Sequence, residues 1–297
     1  MRSLAHANED IMKKFCFNEN ISELEIDPDF LMEGLSYAEK KKHNGIRIID
    51  LNHRSGNSFD LDLTPLSNCR FIQSLSIADN FKISSIKVDA IYTLENLINL
   101  SFRDKKIKLD FSNLPQIKVL YTKYDNLSTG FSNLKNLEHL LIESVNSDDC
   151  SFLGGLSAIK ILRISGGTIN SLSGIENLSK LVELRIDHCP KLVSVISITE
   201  LPGLENLHLE KCKLLNNYSF LSGNCSIKRL FISELNSISF IANMKSLEFL
   251  HFWSLKDGDL NPILKSETLK TVSFYPNKNN YSHNLSEISS RLSQIRG

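Results

Sequence analysis

The sequence lacks the features that mark several functional classes. Its 34 acidic side chains balance its 34 basic ones, whereas a protein that binds DNA or RNA is expected to carry a basic excess. No window approaches the ~18 consecutive apolar residues of a membrane-spanning helix. Residues 1–10 contain no apolar stretch of the length that a secretory signal needs. We therefore expect no nucleic-acid partner, no membrane partner and a cytoplasmic location; delivery into a host cell without a conventional signal peptide stays open.

Cysteine is also sparse and shows no pairing motif. The chain has six cysteines, with no C-x-x-C pair and no cysteine-rich flanking caps. Such spacing is typical of a chain kept reduced in the cytosol rather than of a disulfide framework or a zinc site. The six residues are Cys16, Cys69, Cys150, Cys189, Cys212 and Cys225.

What the sequence does contain is an internal repeat. An apolar residue is followed by apolar residues three and five positions later, and this L-x-x-L-x-L pattern recurs every 20 to 26 residues. Because one such unit cannot bury its apolar side alone, neighbouring units must stack into a continuous core. The repeats are predicted to begin at Ile46, Ile72, Leu97, Ile117, Leu137, Ile159, Leu181, Leu204, Ile227, Leu247 and Leu269.

The most regular repeat, 159–180, has apolar residues at positions 1, 4, 6, 11, 14, 17 and 20. Its return segment, 170–177, is too short for a full helix and holds serine and glycine suited to tight turns. This repeat, with its strand and its short return segment, resembles the short internalin-like class of bacterial leucine-rich repeats. The resemblance implies an α/β leucine-rich repeat solenoid, with a curved parallel sheet on the concave side and short 3₁₀ or extended segments on the convex side.

The two ends of the chain are predicted to cover the repeat core. Ile21-x-x-Leu24-x-Ile26 reads as a divergent first strand, and a helix over about 28–43 follows it. The final segment has apolar residues at helical spacing, ending with Ile295, and a capping box at its start. A partner-binding or coiled-coil helix is the alternative for this segment. The predicted domains are a cap at 1–45, about eleven repeats at 46–283 and a capping helix at 284–297.

Position 9 of each repeat departs from the pattern of the class. An asparagine there normally bridges the backbones of adjacent turns, but only Asn80 and Asn277 match. Cys189 and Cys212 occupy position 9 in neighbouring repeats, where free buried thiols are favoured over a disulfide. The row of position 9 side chains that bridges adjacent turns is therefore expected to be irregular. The other occupants are Arg54, Lys105, Asp125, Val145, Gly167, Leu235 and Leu255.

Positions 4 and 6 point into the core, so positions 3, 5, 7 and 8 should face outward on the concave sheet. These outward positions bring charged residues together in neighbouring repeats. A web of solvated ion pairs and a recognition surface are both open readings of this group. The group, which we call the charged patch, consists of Arg163, Glu183, Arg185, Asp187, His208 and Glu210.

The next three repeats place aromatic residues at the same outward positions, including the chain's only tryptophan. Exposed aromatic surface beside arginine is typical of an interaction site. The alternatives are a slip in register or burial beneath the final helix. This group, which we call the aromatic patch, consists of Arg229, Phe231, Phe249, His251, Trp253 and Tyr275.

An enzyme is the less favoured interpretation. His188 and His208 with Asp187 and Glu210 could be drawn as a metal or acid–base cluster, but no HExxH, G-x-S-x-G or P-loop pattern accompanies them. A row of outward side chains on a sheet also lacks the deep pocket that catalysis requires. We expect no catalytic residues, no metal and no cofactor.

The repeat architecture favours a scaffold that binds another protein. The expected function is a non-enzymatic interaction protein that holds a folded partner on its concave face, as a bacterial cytosolic adaptor or a toxin-neutralising immunity protein. An effector delivered into a host cell fits equally well. We expect a monomer.

Overall fold

The computed structural model describes residues 13–53, 58–80, 82–125 and 128–296. The chain divides into two compact units, Met1–Leu109 and Asp110–Gly297. Three features considered in the sequence lie outside the described residues: the stretch at 1–10, Arg54 and the side chain of Ile295. Within the described ranges, no helix combines the length and the apolar character needed to cross a membrane.

The first unit is built from short parallel strands that follow the repeat pattern. Its strands are β1 (Phe15–Asn18), β2 (Glu23–Ile26), β3 (Gly45–Ile48), β4 (Ser58–Asp62), β5 (Ser74–Ile77), β6 (Lys82–Lys87) and β7 (Asn99–Phe102). Strands β2, β3, β5 and β7 are parallel neighbours in that order, and β1 pairs with β2 in the antiparallel direction. Leu24, Ile46 and Leu75 lie opposite one another and are fully buried, so they begin the repeat core.

The predicted register is wrong in the first repeat after the cap. Ile46 lies opposite Leu75, which is position 4 of its own repeat, so Ile46 is also a position 4 residue and not a position 1 residue. The apolar residues Ile46, Ile49 and Leu51 satisfy the same spacing by coincidence. Only pairing with the neighbouring strands distinguishes the two frames.

A second, two-stranded parallel sheet was not predicted. It consists of β4 and β6, and its register is interrupted between Phe59 and Asp60. These strands lie in the two repeats with the longest predicted spacing. The extra residues of those repeats therefore form extended structure in place of a short turn.

The amino-terminal cap matches the prediction of a helix over about 28–43. A 3₁₀ turn, Pro28–Phe30, leads directly into helix α1 (Leu31–Lys41). A Cβ atom on Gly34 would lie 2.6 Å from Cγ2 of Ile26. Glycine at this position therefore lets α1 lie close against β2.

The second unit contains the remaining strands, and its register agrees with the predicted repeats. These strands are β8 (Val119–Lys123), β9 (His139–Val145), β10 (Ile161–Gly167), β11 (Glu183–Asp187), β12 (Asn206–Glu210), β13 (Arg229–Leu235), β14 (Phe249–Leu255) and β15 (Thr271–Phe274). They are parallel and follow one another in sequence order. Position 4 forms an aligned row with at most 2% exposure, from Leu140 through Leu162, Leu184, Leu207 and Leu230 to Leu250.

Short 3₁₀ turns provide the return segments of this unit, as predicted. Each contains three to five residues, too few for an α-helix of more than one turn. The turns are Phe111–Asn113, Phe131–Asn133, Ser151–Leu153, Ile175–Asn177, Ile196–Glu200, Ser219–Leu221 and Ser239–Asn243.

The predicted carboxy-terminal helix is confirmed. After the short helix α2 (Asn261–Lys265), helix α3 (Leu285–Arg296) packs against β15 and α2. The backbone amide of Asn284 donates to Oε2 of Glu287 at 3.0 Å, and the amide of Glu287 donates to Oδ1 of Asn284 at 2.9 Å. This reciprocal pair is the expected capping box.

Position 9 is irregular, as expected. Asn80 bridges the backbone of Asp50: its Oδ1 accepts from the Asp50 amide at 3.2 Å and its Nδ2 donates to the Asp50 carbonyl at 2.9 Å. At the same position, the thiol of Cys189 is 3.8 Å from the Gly166 carbonyl. The six cysteines are unpaired in the structure.

Candidate functional site

The second unit brings the charged and aromatic patches onto one continuous surface. We define the outward face as positions 3, 5 and 7 of strands β10 to β15. At position 5, Arg163, Arg185, His208, Phe231, His251 and Ser273 lie opposite one another in successive strands. The sequence identified the two patches separately, and the row at position 5 joins them.

Asp187 is the centre of the charged patch. The residue is 4% exposed, and its carboxylate accepts hydrogen bonds from Nε of Arg163 at 2.8 Å and from the Ser165 hydroxyl. Nδ1 of His188 lies 3.2 Å from the same carboxylate. Burial by itself would raise the pKa of Asp187, but these hydrogen bonds outweigh burial and hold that pKa below its ordinary value. The carboxylate is therefore charged at neutral pH and fixes the Arg163 guanidinium.

The remaining members of the charged patch are also paired. Nε of Arg185 lies 3.0 Å from Oε1 of Glu183 on the same strand. Nε2 of His208 lies 3.1 Å from Oε2 of Glu210. Burial lowers the pKa of His208, although the hydrogen bond with Glu210 partly opposes that effect. His208 is therefore neutral at pH 7.

Phe231 is the centre of the aromatic patch, but the expectation that its ring is exposed is wrong. The residue is only 9% exposed. The His208 ring stacks on it with centroids 4.1 Å apart, and the rings of His251 and Trp253 meet it edge-on at 4.8 and 5.4 Å. The register is as predicted, so Phe231 is buried by its neighbours on the outward face and not by the core.

Trp253 and Tyr275 are the accessible aromatic groups of this patch. Trp253 is 36% exposed and Tyr275 is 82% exposed. The ammonium of Lys211 lies 5.8 Å from the centre of the Trp253 ring, a cation–π contact that the sequence analysis missed. Lys211 lies at position 8, which was predicted to face outward, so the sequence pattern already placed Lys211 and Trp253 on the same face.

Arg229 and Phe249 form a second cation–π pair. The guanidinium carbon of Arg229 lies 4.1 Å from the centre of the Phe249 ring. Both residues are at position 3 and lie opposite each other in β13 and β14. The predicted repeats place them side by side, and the structure brings them into contact.

An open depression of about 500 Å³ occupies the outward face between the two patches. Its lining residues occupy positions 3, 4 and 5 of β11 to β15, with the position 4 side chains directed into the core. Its polar neutral residues were not singled out in the sequence analysis because they carry neither charge nor a large ring. The lining is Glu183, Arg185, Asn206, Leu207, His208, Arg229, Leu230, Phe231, Phe249, Leu250, His251, Thr271 and Ser273.

The histidine and carboxylate groups are arranged as separate pairs. His188 contacts Asp187, whereas His208 contacts Glu210. Across the described ranges, no group of three or more histidine, cysteine or carboxylate side chains is placed to hold a metal ion. The polar and aromatic side chains of this face thus form ion pairs and stacked rings that a partner could contact.

Comparison with known proteins connects this geometry to an architecture. Neither a protein-family model nor a curated protein sequence matches the chain. An internalin, InlF, from Listeria monocytogenes superposes with a TM-score of 0.56 and 16% identity over 94% of this chain and 85% of the internalin chain. The fold is a leucine-rich repeat solenoid.

Two further solved structures share this leucine-rich repeat fold. A leucine-rich repeat protein from Leptospira interrogans matches with a TM-score of 0.53 and 17% identity, covering 86% of this chain and 72% of that one. TLR13, solved in complex with ssRNA13, matches with a TM-score of 0.52 and 17% identity. That alignment covers 88% of this chain and 47% of the TLR13 chain. At such identities the likeness establishes the fold alone.

Proposed function

We propose that this leucine-rich repeat protein is a non-enzymatic scaffold that binds a folded protein partner through the outward face of its second unit. The observation that carries the proposal is the accessible aromatic pair, Trp253 and Tyr275, on the same outward face as three arginines. Aromatic residues and arginine dominate the energetics of protein interfaces. Exposed rings grouped on one face of a sheet mark such an interface more often than scattered apolar residues do.

The energetic roles of the two patches differ. Trp253 and Tyr275 would anchor the complex because their apolar area is removed from water on binding. Arg163 and Arg185, which are already paired with carboxylates, would contribute more to the association rate and its salt dependence than to affinity. The buried Phe231 would support the anchor by fixing the Trp253 ring.

The proposed function includes a biological setting and an organisation of the chain into a cap, repeats and a capping helix. We propose a monomeric bacterial adaptor or toxin-neutralising immunity protein in the cytoplasm, acting without a cofactor, with delivery into a host cell as the alternative. The organisation is a cap at 1–45, repeats at 46–283 and a capping helix at 284–297. A toxin gene adjacent to the coding sequence would favour the immunity protein over the adaptor and the effector.

Affinity purification followed by mass spectrometry tests the binding face. Wild type is compared with the double variant Trp253→Ala/Tyr275→Ala, and with Tyr121→Ala as a matched control. Tyr121 is also an exposed aromatic at position 5, but it lies on β8, outside the proposed site. We expect the double variant alone to lose the partner, with a cost of about 2 kcal/mol or more for each anchor. Retention of the partner by the double variant would contradict the proposal.

A further inference from the structure

Arg229 differs from the other two arginines of the outward face. Arg163 is paired with Asp187 and Arg185 with Glu183, each through a carboxylate at 3.0 Å or less. Arg229 is exposed, and its contact is the ring of Phe249. In the part of the chain that the structure describes, no carboxylate is paired with it.

The surroundings of Arg229 leave its charge uncompensated. The charged side chains that line the depression are Glu183, Arg185 and Arg229. Glu183 neutralises Arg185. Burial lowers the pKa values of both His208 and His251, so these rings are neutral at pH 7. The depression therefore has one excess positive charge, located on Arg229.

The Phe249 ring also orients that charge. A guanidinium held against an aromatic face keeps its planar N–H donors in a defined direction, and that geometry matches a carboxylate with two parallel hydrogen bonds. A partner that covers the depression removes the guanidinium from water. This desolvation is unfavourable unless the partner supplies an anion at the same place.

We infer that Arg229 is the docking point for a carboxylate, and that the partner presents an acidic side chain next to an apolar one where it covers this depression. The guanidinium lies against the Phe249 ring, and Phe231 also lines the depression, so the site favours apolar neighbours for that carboxylate. The inference rests on the proposed protein-binding function. It adds to that function the sign of the charge that the partner's contact surface carries, which is negative.

Small probes test this inference without the partner. The protein is titrated with 3-phenylpropionate and with the neutral 3-phenylpropionamide, and binding is followed by NMR of the arginine Nε–H and Trp253 indole resonances. We expect the carboxylate to bind at least fivefold more tightly than the amide. Arg229→Gln should abolish this preference, and Arg185→Gln, as the matched control, should retain it.

Several outcomes would overturn the inference. Equal binding of the acid and the amide, a preference that persists in Arg229→Gln, or no shift with either probe would each contradict it. Phenyl phosphate is the competing ligand: binding more than tenfold tighter than 3-phenylpropionate, and dependent on Arg229, would indicate a phosphate site instead of an acidic protein surface.

The captured partner separates this inference from the proposed function. If Trp253→Ala/Tyr275→Ala loses the partner while Arg229→Gln retains it with wild-type affinity, the binding face stands and the carboxylate docking point fails. If the double variant retains the partner, the proposed function fails, whatever the probes show. Unchanged thermal unfolding of Arg229→Gln would establish that any loss of binding is local.

Discussion

The imidazole of His208 stacks on the ring of Phe231 with centroids 4.1 Å apart, and this contact joins the two patches of the outward face. On one side His208 contacts Glu210 of the charged patch, and on the other Phe231 supports Trp253 of the aromatic patch. Neighbouring strands place directly opposed side chains close enough for such stacking. The row at position 5 is thus both a structural support and part of the candidate interface.

Phe231→Ala should destabilise the fold, whereas Trp253→Ala should not. Phe231 is 9% exposed, so its removal leaves a cavity beneath His208, His251 and Trp253, and we expect a loss of about 2 to 3 kcal/mol in the free energy of unfolding. Because Trp253 is more exposed, Trp253→Ala should lower the free energy of unfolding by less than about 1 kcal/mol. Urea unfolding of both variants measures the difference. Equal losses would mean that the indole is also part of the packed structure.

Asp187→Asn should lower the free energy of unfolding at neutral pH, and this loss should become smaller in acid. The folded pKa of Asp187 is lower than the ordinary value, so the charged carboxylate stabilises the fold above the unfolded pKa, and that contribution declines as pH falls from about 4 through the folded pKa. We expect a loss of about 1 to 2 kcal/mol at pH 7, because the hydrogen bonds of Arg163 and Ser165 are impaired. Unfolding at pH 7 and pH 3 provides the test. A difference that stays the same at both values would contradict the linkage.

His208 should make the protein less stable in mild acid. Its folded pKa is depressed by burial, so the unfolded chain binds the proton first, and stability falls as pH decreases from about 6.5 through the folded pKa. His208→Gln cannot bind that proton, so its stability curve between pH 7 and pH 5 should be flatter than that of wild type. Parallel curves for the two proteins would show that His208 is not responsible.

Leu162→Ala and Leu184→Ala should each cost about 2 to 5 kcal/mol in unfolding free energy. Both side chains are fully buried at position 4 of neighbouring strands, where shortening removes apolar contact and leaves a cavity. Val193→Ala is the matched control, since Val193 is exposed on a return segment and should change stability by less than about 0.5 kcal/mol. Similar small losses at all three sites would show that the register in these repeats is wrong.

The six cysteines should all be free thiols, and they should differ in reactivity. Burial raises the pKa of Cys189 to about 12 and that of Cys212 to about 11, so both should react slowly in the folded protein. Cys225 is exposed and should be modified first. Thiol counting with a chromogenic disulfide, before and after denaturation without reductant, measures both. A total below six in protein protected from air would contradict the expectation.

The sequence determined the repeat architecture because apolar spacing is a direct requirement of burial. Leu162 and Ile164 must both point inward, and a period of 20 to 23 residues leaves room for one strand and one short turn. The same local signals predicted α1 and the capping box of α3, since capping depends on residues a few positions apart. Where the apolar pattern was ambiguous, as at Ile46, the frame depended on strand pairing that spacing alone does not encode.

Only the tertiary structure decided how the outward residues share their contacts. The repeat pattern placed Phe231 outward, but its burial depends on three rings from neighbouring strands. It placed three arginines on one face, but whether each one meets a carboxylate depends on side-chain distances across and along strands. Arg163 and Arg185 are thereby neutralised and Arg229 is not, because a repeat pattern specifies which way a side chain points, whereas pairing and burial depend on which neighbours reach it.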